Sequence, residues 1–337
     1  MKILKRFLRK VLEYTLEVIE HSLRHLPLSL LRVFQGVSLV DKACLYKFAI
    51  DFKGVDKVNK KFYICTKGAY EYDFFNMCFL NNMLGIILLS LYKGYIPVIN
   101  VRYAELNIWD MFLKQPFSNY LDQSSYSIIE NENIQSFFSP SFKSIYNKND
   151  LKLWCKIYNN FVELNDETKN YVERECQDVF RDGRRVMGVL CRGTDYVTLK
   201  PLGHPIQPTL EQVFSLLKVK MKELRMDYIY LATEEKKIEE RFEQEFPGKI
   251  LINKRSYYDN YYANKCTYIR EVNFERENDS YYKGLEYFSS IVILSRCQAL
   301  IGGNTGGSCA AMFMNNMKYE YAHLYTFAAV TCGRDAR

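Results

Sequence analysis

The sequence predicts an α/β protein made of two doubly wound halves, each a parallel sheet covered by helices. Its 337 residues exceed what one hydrophobic core usually serves, which points to two domains of roughly 150 to 170 residues. Hydrophobic residues make up 48% and charged residues 25%, a globular balance that excludes extended disorder. Short apolar stretches rich in β-branched and aromatic residues also alternate with helical stretches long enough for the crossovers of parallel strands.

The elements follow in order. Residues 1–26 read as a basic amphipathic helix, and "KKFYICTKG" (Lys60 to Gly68) and "IPVINVR" (Ile96 to Arg102) as strands. Between them Asn76 to Lys93 is apolar almost all round, so this helix is expected to be largely buried and to stop at Gly94. From about 115 to 180 a polar loop is expected to lead into helices, with Asn149 or Asp150 as a cap. The second half alternates clearly. "RVMGVLC", "MDYIYLAT", "GKILIN" and "QALIGG" read as strands, separated by "TLEQVFSLLKVKMKEL", "EEKKIEERFEQEF" and "YYKGLEYFSSIVILSRC" as helices and followed by the helix "GGSCAAMFMNN". The expected segments are a helix over 1–30, a first α/β domain over 31–183 and a nucleotide-binding one over 184–337.

The net charge of +7 is spread through the chain, a mild bias toward anionic partners. Ten cysteines show no Cys-x-x-Cys pair, and Cys78, Cys191 and Cys309 lie in apolar stretches; structural zinc is not expected, and a reducing, cytoplasmic setting is. The longest apolar run, Met83 to Leu91, is too short to span a bilayer. Lys2, Lys5, Arg6, Arg9 and Lys10 stand beside Leu4, Phe7, Leu8, Val11 and Leu12, a pattern that fits a helix lying on an anionic membrane surface or one packed on its own domain.

In an open parallel sheet ligands sit beyond the carboxyl ends of the strands, so residues at those ends carry the chemistry. Arg192 ends the strand Val186 to Cys191. Its planar fork suits two phosphate oxygens, or a structural ion pair with Asp195. Gly193 lets a ligand approach the backbone, and Thr194 adds a hydroxyl. The turn in "LIGGNTGGSCAAM", with Gly303, Asn304, Thr305, Gly306 and Gly307, offers a helix N-terminus to a diphosphate, or is only a tight strand-to-helix connection. Thr233, Glu234 and Glu235 end another strand, where acidic residues in a first helical turn are favoured by the dipole alone. Of the four histidines, His204 alone lies near a motif. The sequence has no His-Glu-x-x-His, Gly-x-Ser-x-Gly or Asp-x-Asp, so neither triad chemistry nor a divalent metal is expected. The tyrosine-rich Arg255 to Arg270 reads as an irregular aromatic loop.

Three segments together resemble one family. "VLCRGTDYVTLKPLGHPI" resembles the Val-His-Val-Arg-Arg-Thr-Asp motif, with its later His-Pro-Ile, of the core alpha-1,6-fucosyltransferases and their nodulation relatives. "YIYLATEEKKIEERFEQEFP" is similar to that family's Tyr-Leu-Ala-Thr-Asp-Asp segment. "VILSRCQALIGGNTGGSCAAM" is similar to its Leu-Ser-x-x-x-x-Leu-Val-Cys-Thr-Phe-Ser-Ser-x-x-Cys stretch. The likeness covers about 185 to 315 and, more faintly, 66 to 115. It implies a GT-B-like fold of two Rossmann-like domains with a cleft between them, metal-free use of GDP-fucose and inversion at the anomeric carbon. Arg192 would hold the donor's β-phosphate, Thr305 and Gly306 would contact the diphosphate, and Glu234 and Glu235 would stand for the Asp pair. The guanine-reading aspartate falls on Ser290, with Glu286 one turn earlier. Leu190, Gly193 and Tyr196 replace the family's histidine, second arginine and lysine, and Lys200 stands where its proposed base would be, which leaves Asp195 or Glu235 for that task.

The resulting expectation is an inverting, metal-independent glycosyltransferase that passes fucose from GDP-fucose to a glycan or lipid-linked glycan of a surface or capsular polysaccharide. It would act at the cytoplasmic face of a membrane and bind no nucleic acid. The alternatives are another nucleotide-sugar, or a non-catalytic protein that binds one.

Overall fold

A computed structural model describes residues 2–27, 30–31, 38–55, 61–67, 74–103, 105–120, 127–129, 138–200, 204–259 and 269–327. By contact the chain forms two compact units: Met1–Ala69 with Asn81–Ile99 and Phe117–Ser139, and Tyr70–Leu80 with Asn100–Pro116 and Pro140–Arg337. That division differs from the 31–183 and 184–337 boundaries read from the sequence. Residues 140–183 go with the later strands because Trp154 and Tyr158 pack their rings on Phe313, at 6.1 and 5.3 Å between centroids.

In the first unit, α1 (Lys2–Leu23) is followed by α2 (Ser38–Asp51). A parallel sheet of three strands places β1 (Lys61–Cys65) between β2 (Ile96–Ile99) and β5 (Ser127–Ile129). The expected βαβ unit is present: α3 (Met77–Tyr92) joins β1 to β2, begins with Asn76 Oδ1 accepting from the Phe79 amide at 2.9 Å, and ends at Gly94 with φ +84°. Most of α3 is buried as its sequence implies, but Cys78 is exposed, against expectation. Even an apolar helix leaves an arc uncovered, and position 78 lies on it. Between β2 and β5 runs a short hairpin, β3 (Arg102–Tyr103) with β4 (Leu106–Asn107).

The second unit holds the sheet that matters for the site. After α4 (Lys148–Phe161) and α5 (Asp166–Val179) come β6 (Val186–Leu190), α6 (Thr194–Thr198), α7 (Leu210–Glu223), β7 (Tyr228–Ala232), α8 (Lys236–Glu245), β8 (Ile250–Leu251), α9 (Asp279–Arg296), β9 (Ala299–Gly303), α10 (Gly306–Asn315) and β10 (Tyr321–Tyr325). The five strands are parallel in the order β10-β9-β6-β7-β8. Alternation splits their side chains between two faces. Met187, Val189, Ile229, Leu231 and Ile301 join Phe214 and Phe242 of α7 and α8 in one core. On the other face Gly188 lets α9 come close: a Cβ there would stand 3.1 Å from Leu294.

Several helix starts differ from the sequence reading. The cap of α4 is Asn147, whose Oδ1 accepts from the amides of Asn149 and Asp150 at 2.9 and 3.1 Å. Helix α8 starts at Lys236 rather than Glu234, because Asp259, more than twenty residues along the chain, caps it, accepting from the Lys236 and Lys237 amides at 2.6 and 3.1 Å. That cap leaves Glu234 and Glu235 outside the helix.

Candidate active site

The chain order reverses between β6 and β9: β7 and β8 build outward on one side, β10 on the other. At such a switch point the loops leaving two neighbouring strands diverge and open a crevice beyond their carboxyl ends. Leu190 is paired with Gly302, so Cys191-Arg192-Gly193 and Gly303-Asn304-Thr305 leave the sheet side by side. Their approach is close enough that a Cβ on Gly302 would stand 2.3 Å from the Leu190 carbonyl oxygen. Gly302→Ala is expected to lower stability by about 1–3 kcal/mol through overpacking, read as a lower urea midpoint at unchanged m-value.

Arg192 is held on three sides. Its Nη2 donates to Asp195 Oδ1 at 2.8 Å, its Nε lies 3.3 Å from Glu234 Oε1 as an ion pair without hydrogen-bond geometry, and its guanidinium lies 4.8 Å from the Tyr196 ring centroid. The side chain is 17% exposed, and Nη1 makes no hydrogen bond or ion pair among the described residues. Burial works against the charge, but Glu234 and Asp195 outweigh it and raise the guanidinium above its ordinary value. The ion-pair reading of Arg192 and the ligand reading are therefore compatible: the pairs orient the fork and leave one nitrogen over.

Glu234 and Glu235 do not decorate a helix dipole. Glu234 Oε1 accepts from the Gly193 amide at 2.8 Å and the Thr194 hydroxyl at 2.9 Å, and Glu235 Oε1 accepts from the Thr194 amide. A Cβ on Gly193 would stand 2.3 Å from the Glu235 carboxyl carbon, so a side chain there would displace that carboxylate. Burial raises the Glu235 carboxyl above its ordinary value against the Thr194 amide bond, and the nearby charges of Glu234 and Asp259 add to the rise.

Facing this cluster, Thr305 and Ser308 form a capping box on α10, and the first two amides, of Gly306 and Gly307, take no part in it. Those amides sit at the positive end of the helix. A side chain on Gly307 would meet Ile291, the Tyr287 hydroxyl and Leu190 within 2.8–3.3 Å.

Other expected site residues have structural duties. Asn304 is fully buried, donating to the Phe142 carbonyl at 3.0 Å and accepting from Cys309 Sγ at 3.2 Å. Thr233 is 2% exposed, with its carbonyl taken by Arg255 Nη1 and its hydroxyl accepting from the Glu235 amide at 3.3 Å. His204 Nδ1 lies 3.1 Å from the Tyr196 hydroxyl; burial first, then Arg192, depresses its proton affinity, against Asp195. Ser290 donates to the Glu286 and Tyr287 carbonyls of its own helix at 3.0 and 2.7 Å. Glu286 is bound by Arg276 Nη1 at 2.6 Å and by the Ser256 amide at 3.1 Å. Of the tyrosine-rich segment, 260–268 lie outside the described residues.

Tyr287 and Gln207 escaped the sequence reading. Burial pushes the Tyr287 phenol up while Arg192 opposes and Tyr196 and Glu234 add, which places its hydroxyl within electrostatic reach of the cluster. Gln207 Oε1 is buried without a hydrogen-bond partner among the described residues and occupies the space a Gly303 side chain would need. Neither belongs to a recognisable motif; only the long-range fold brings them here.

No protein-family model matches the sequence, and no curated protein matches it. Among solved structures the chain is similar to NodZ alpha-1,6-fucosyltransferase soaked with GDP-fucose, at 11% identity over 76% of this chain and 93% of that one, with a TM-score of 0.44. Fucosyltransferase NodZ from Bradyrhizobium matches at 10% identity over the same shares, with a TM-score of 0.42. POFUT1 in complex with GDP matches at 9% identity over 80% of this chain and 99% of that one, with a TM-score of 0.46.

Proposed function

We propose that this chain is an inverting glycosyltransferase that uses a nucleotide-sugar, with GDP-fucose the first donor to test. The observation that carries the reading is Arg192, fixed by Asp195 and Glu234 at the switch point, with Nη1 left over and the Gly306 and Gly307 amides on the neighbouring strand's loop. This set of donors fits a diphosphate that gains negative charge as it leaves. The three segments similar to fucosyltransferase motifs support the choice of sugar.

In the proposed reaction the acceptor hydroxyl oxygen bonds to the anomeric carbon from the face opposite the diphosphate. The carbon–oxygen bond to the diphosphate breaks, and its electron pair leaves with that oxygen onto Arg192 and the helix amides. The acceptor's proton goes to a carboxylate. Asp195 and Glu235 each keep one carboxylate oxygen without a hydrogen bond among the described residues, but Asp195 is ion-paired to Arg192, whereas Glu235 has no ion pair among those residues and a raised proton affinity, so we assign the base to Glu235 and the positioning of Arg192 to Asp195. The acceptor class proposed is a glycan or lipid-linked glycan of a surface polysaccharide.

A second nucleotide is the specific rival, because Glu286 is already engaged by Arg276 and Ser256 and would have to exchange partners to read guanine. Thermal titration with GDP-, UDP-, ADP- and CDP-sugars separates them: a saturating selective ligand at a hundredfold its Kd stabilises by about 2.7 kcal/mol. Selective stabilisation by GDP and GDP-fucose supports the reading; selectivity for another nucleotide replaces the donor, and no response to any of them removes the proposal. Transfer is further expected to persist at full rate in excess EDTA, measured as acceptor-dependent release of nucleoside diphosphate; loss of rate, restored by Mn²⁺ or Mg²⁺, would overturn metal independence.

A further inference from the structure

Helix α1 carries a feature that the donor chemistry does not use and that is independent of it. In α1 the apolar residues Val11, Leu12, Tyr14, Val18 and Ile19 are all exposed, Leu12 at 59% and Tyr14 at 70%. At about 100° per residue they fall within roughly half of the helix circumference. In the sequence the same periodicity runs back through Ile3, Leu4, Phe7 and Leu8. The end of α1 is the part that is anchored. Leu23 packs on the cluster of Leu31, Val40, Ala43 and Cys44, and the adjoining Arg24 lies 4.2 Å from the Tyr46 ring centroid and 2.8 Å from Glu20.

The two aliphatic hydroxyls on the apolar arc, of Thr15 and Ser22, are satisfied inside the helix. Thr15 Oγ1 donates to the Val11 carbonyl at 2.7 Å and Ser22 Oγ to the Val18 carbonyl at 2.8 Å. Such bonds let a polar residue enter an apolar medium without an unpaired donor. In the sequence Lys2, Lys5, Arg6, Arg9 and Lys10 fall at the complementary helical spacing with no acid among them, followed by Glu13, Glu17 and Glu20. A positive first half beside a continuous apolar face matches an anionic lipid surface, and the charge rules out lengthwise insertion: no described helix is long and apolar enough to cross a membrane.

We infer that α1 lies in the plane of an anionic bilayer surface, with Val11, Leu12, Tyr14, Val18 and Ile19 at the acyl boundary and the basic residues of its first half on the headgroups. The test uses the full chain in flotation with vesicles of phosphatidylcholine alone and of phosphatidylcholine with phosphatidylglycerol, beside sedimentation velocity. Expected is flotation with the anionic vesicles, weakened by added salt. The double variant Lys5→Glu/Arg9→Glu should lower partitioning at least ~10-fold. Leu12→Glu/Val18→Glu should abolish it while the melting temperature stays at the wild-type value, since both positions are exposed. Flotation with neither vesicle, flotation unchanged in the variants, or a dimer that Leu12→Glu/Val18→Glu dissociates without any vesicle binding would each overturn the inference, the last by giving the face to a second copy of the chain.

Discussion

Replacing Arg192 by alanine is expected to lower transfer by roughly 10²- to 10³-fold, the loss that follows removal of a preorganised donor to developing charge. The same change is expected to lower stability. Asp195 and Glu234 have side chains only 11% exposed, and without the guanidinium their charges lie close together in a poorly hydrated place. Breaking such a buried pair costs on the order of 3–5 kcal/mol. Arg192→Lys keeps the charge and loses the fork, so it should recover stability more than turnover. Activity within a few-fold of wild type in Arg192→Ala would make the arginine structural only.

Glu235→Gln carries the second large effect, and it separates chemistry from binding. Loss of a general base is expected to lower kcat by about 10²- to 10⁴-fold. Donor affinity should stay equal or rise, because the change removes a negative charge that acts on Glu234, the partner of Arg192, where a diphosphate must enter. In the wild type the raised Glu235 proton affinity sets the acid limb of kcat/KM: the rate rises as pH climbs through a value above the ordinary glutamate range, as the base loses its proton. Glu234→Gln removes one of the charges that raise it and should move that limb to lower pH. Unchanged kcat in Glu235→Gln, with tighter donor binding, would leave Glu235 as an electrostatic neighbour and return the base to Asp195. The Gln variant is also expected to be slightly more stable near neutral pH, since burial penalises the charged carboxylate that it replaces.

Both predictions turn on positions that the sequence flagged and assignments that it left open. The strand-then-arginine pattern at 186–192 and the glycine-rich turn at 302–307 were legible because strand ends and helix starts leave local signatures. The alternation of strands and helices after residue 184 was legible for the same reason, and each expected strand there is present. The start of α8 was not, because its cap is Asp259, twenty-odd residues downstream, and a cap supplied from afar has no local pattern. The partners of Glu286 and the approach of Tyr287 to Gly307 are likewise contacts between distant segments.

The sequence by itself therefore determined the class of fold, the parallel strands and the charged group at the end of β6, since each depends on residues within a few positions of one another. The tertiary structure decided the strand order, with β6 beside β9, and so which loops share a crevice. It also decided the states of the acids: Asp195 bound to Arg192, Glu234 bridging the Gly193 amide and the Thr194 hydroxyl, and Glu235 half-buried with its proton held more tightly. Charge and proton affinity are set by what surrounds a group in space, and no spacing along the chain encodes that.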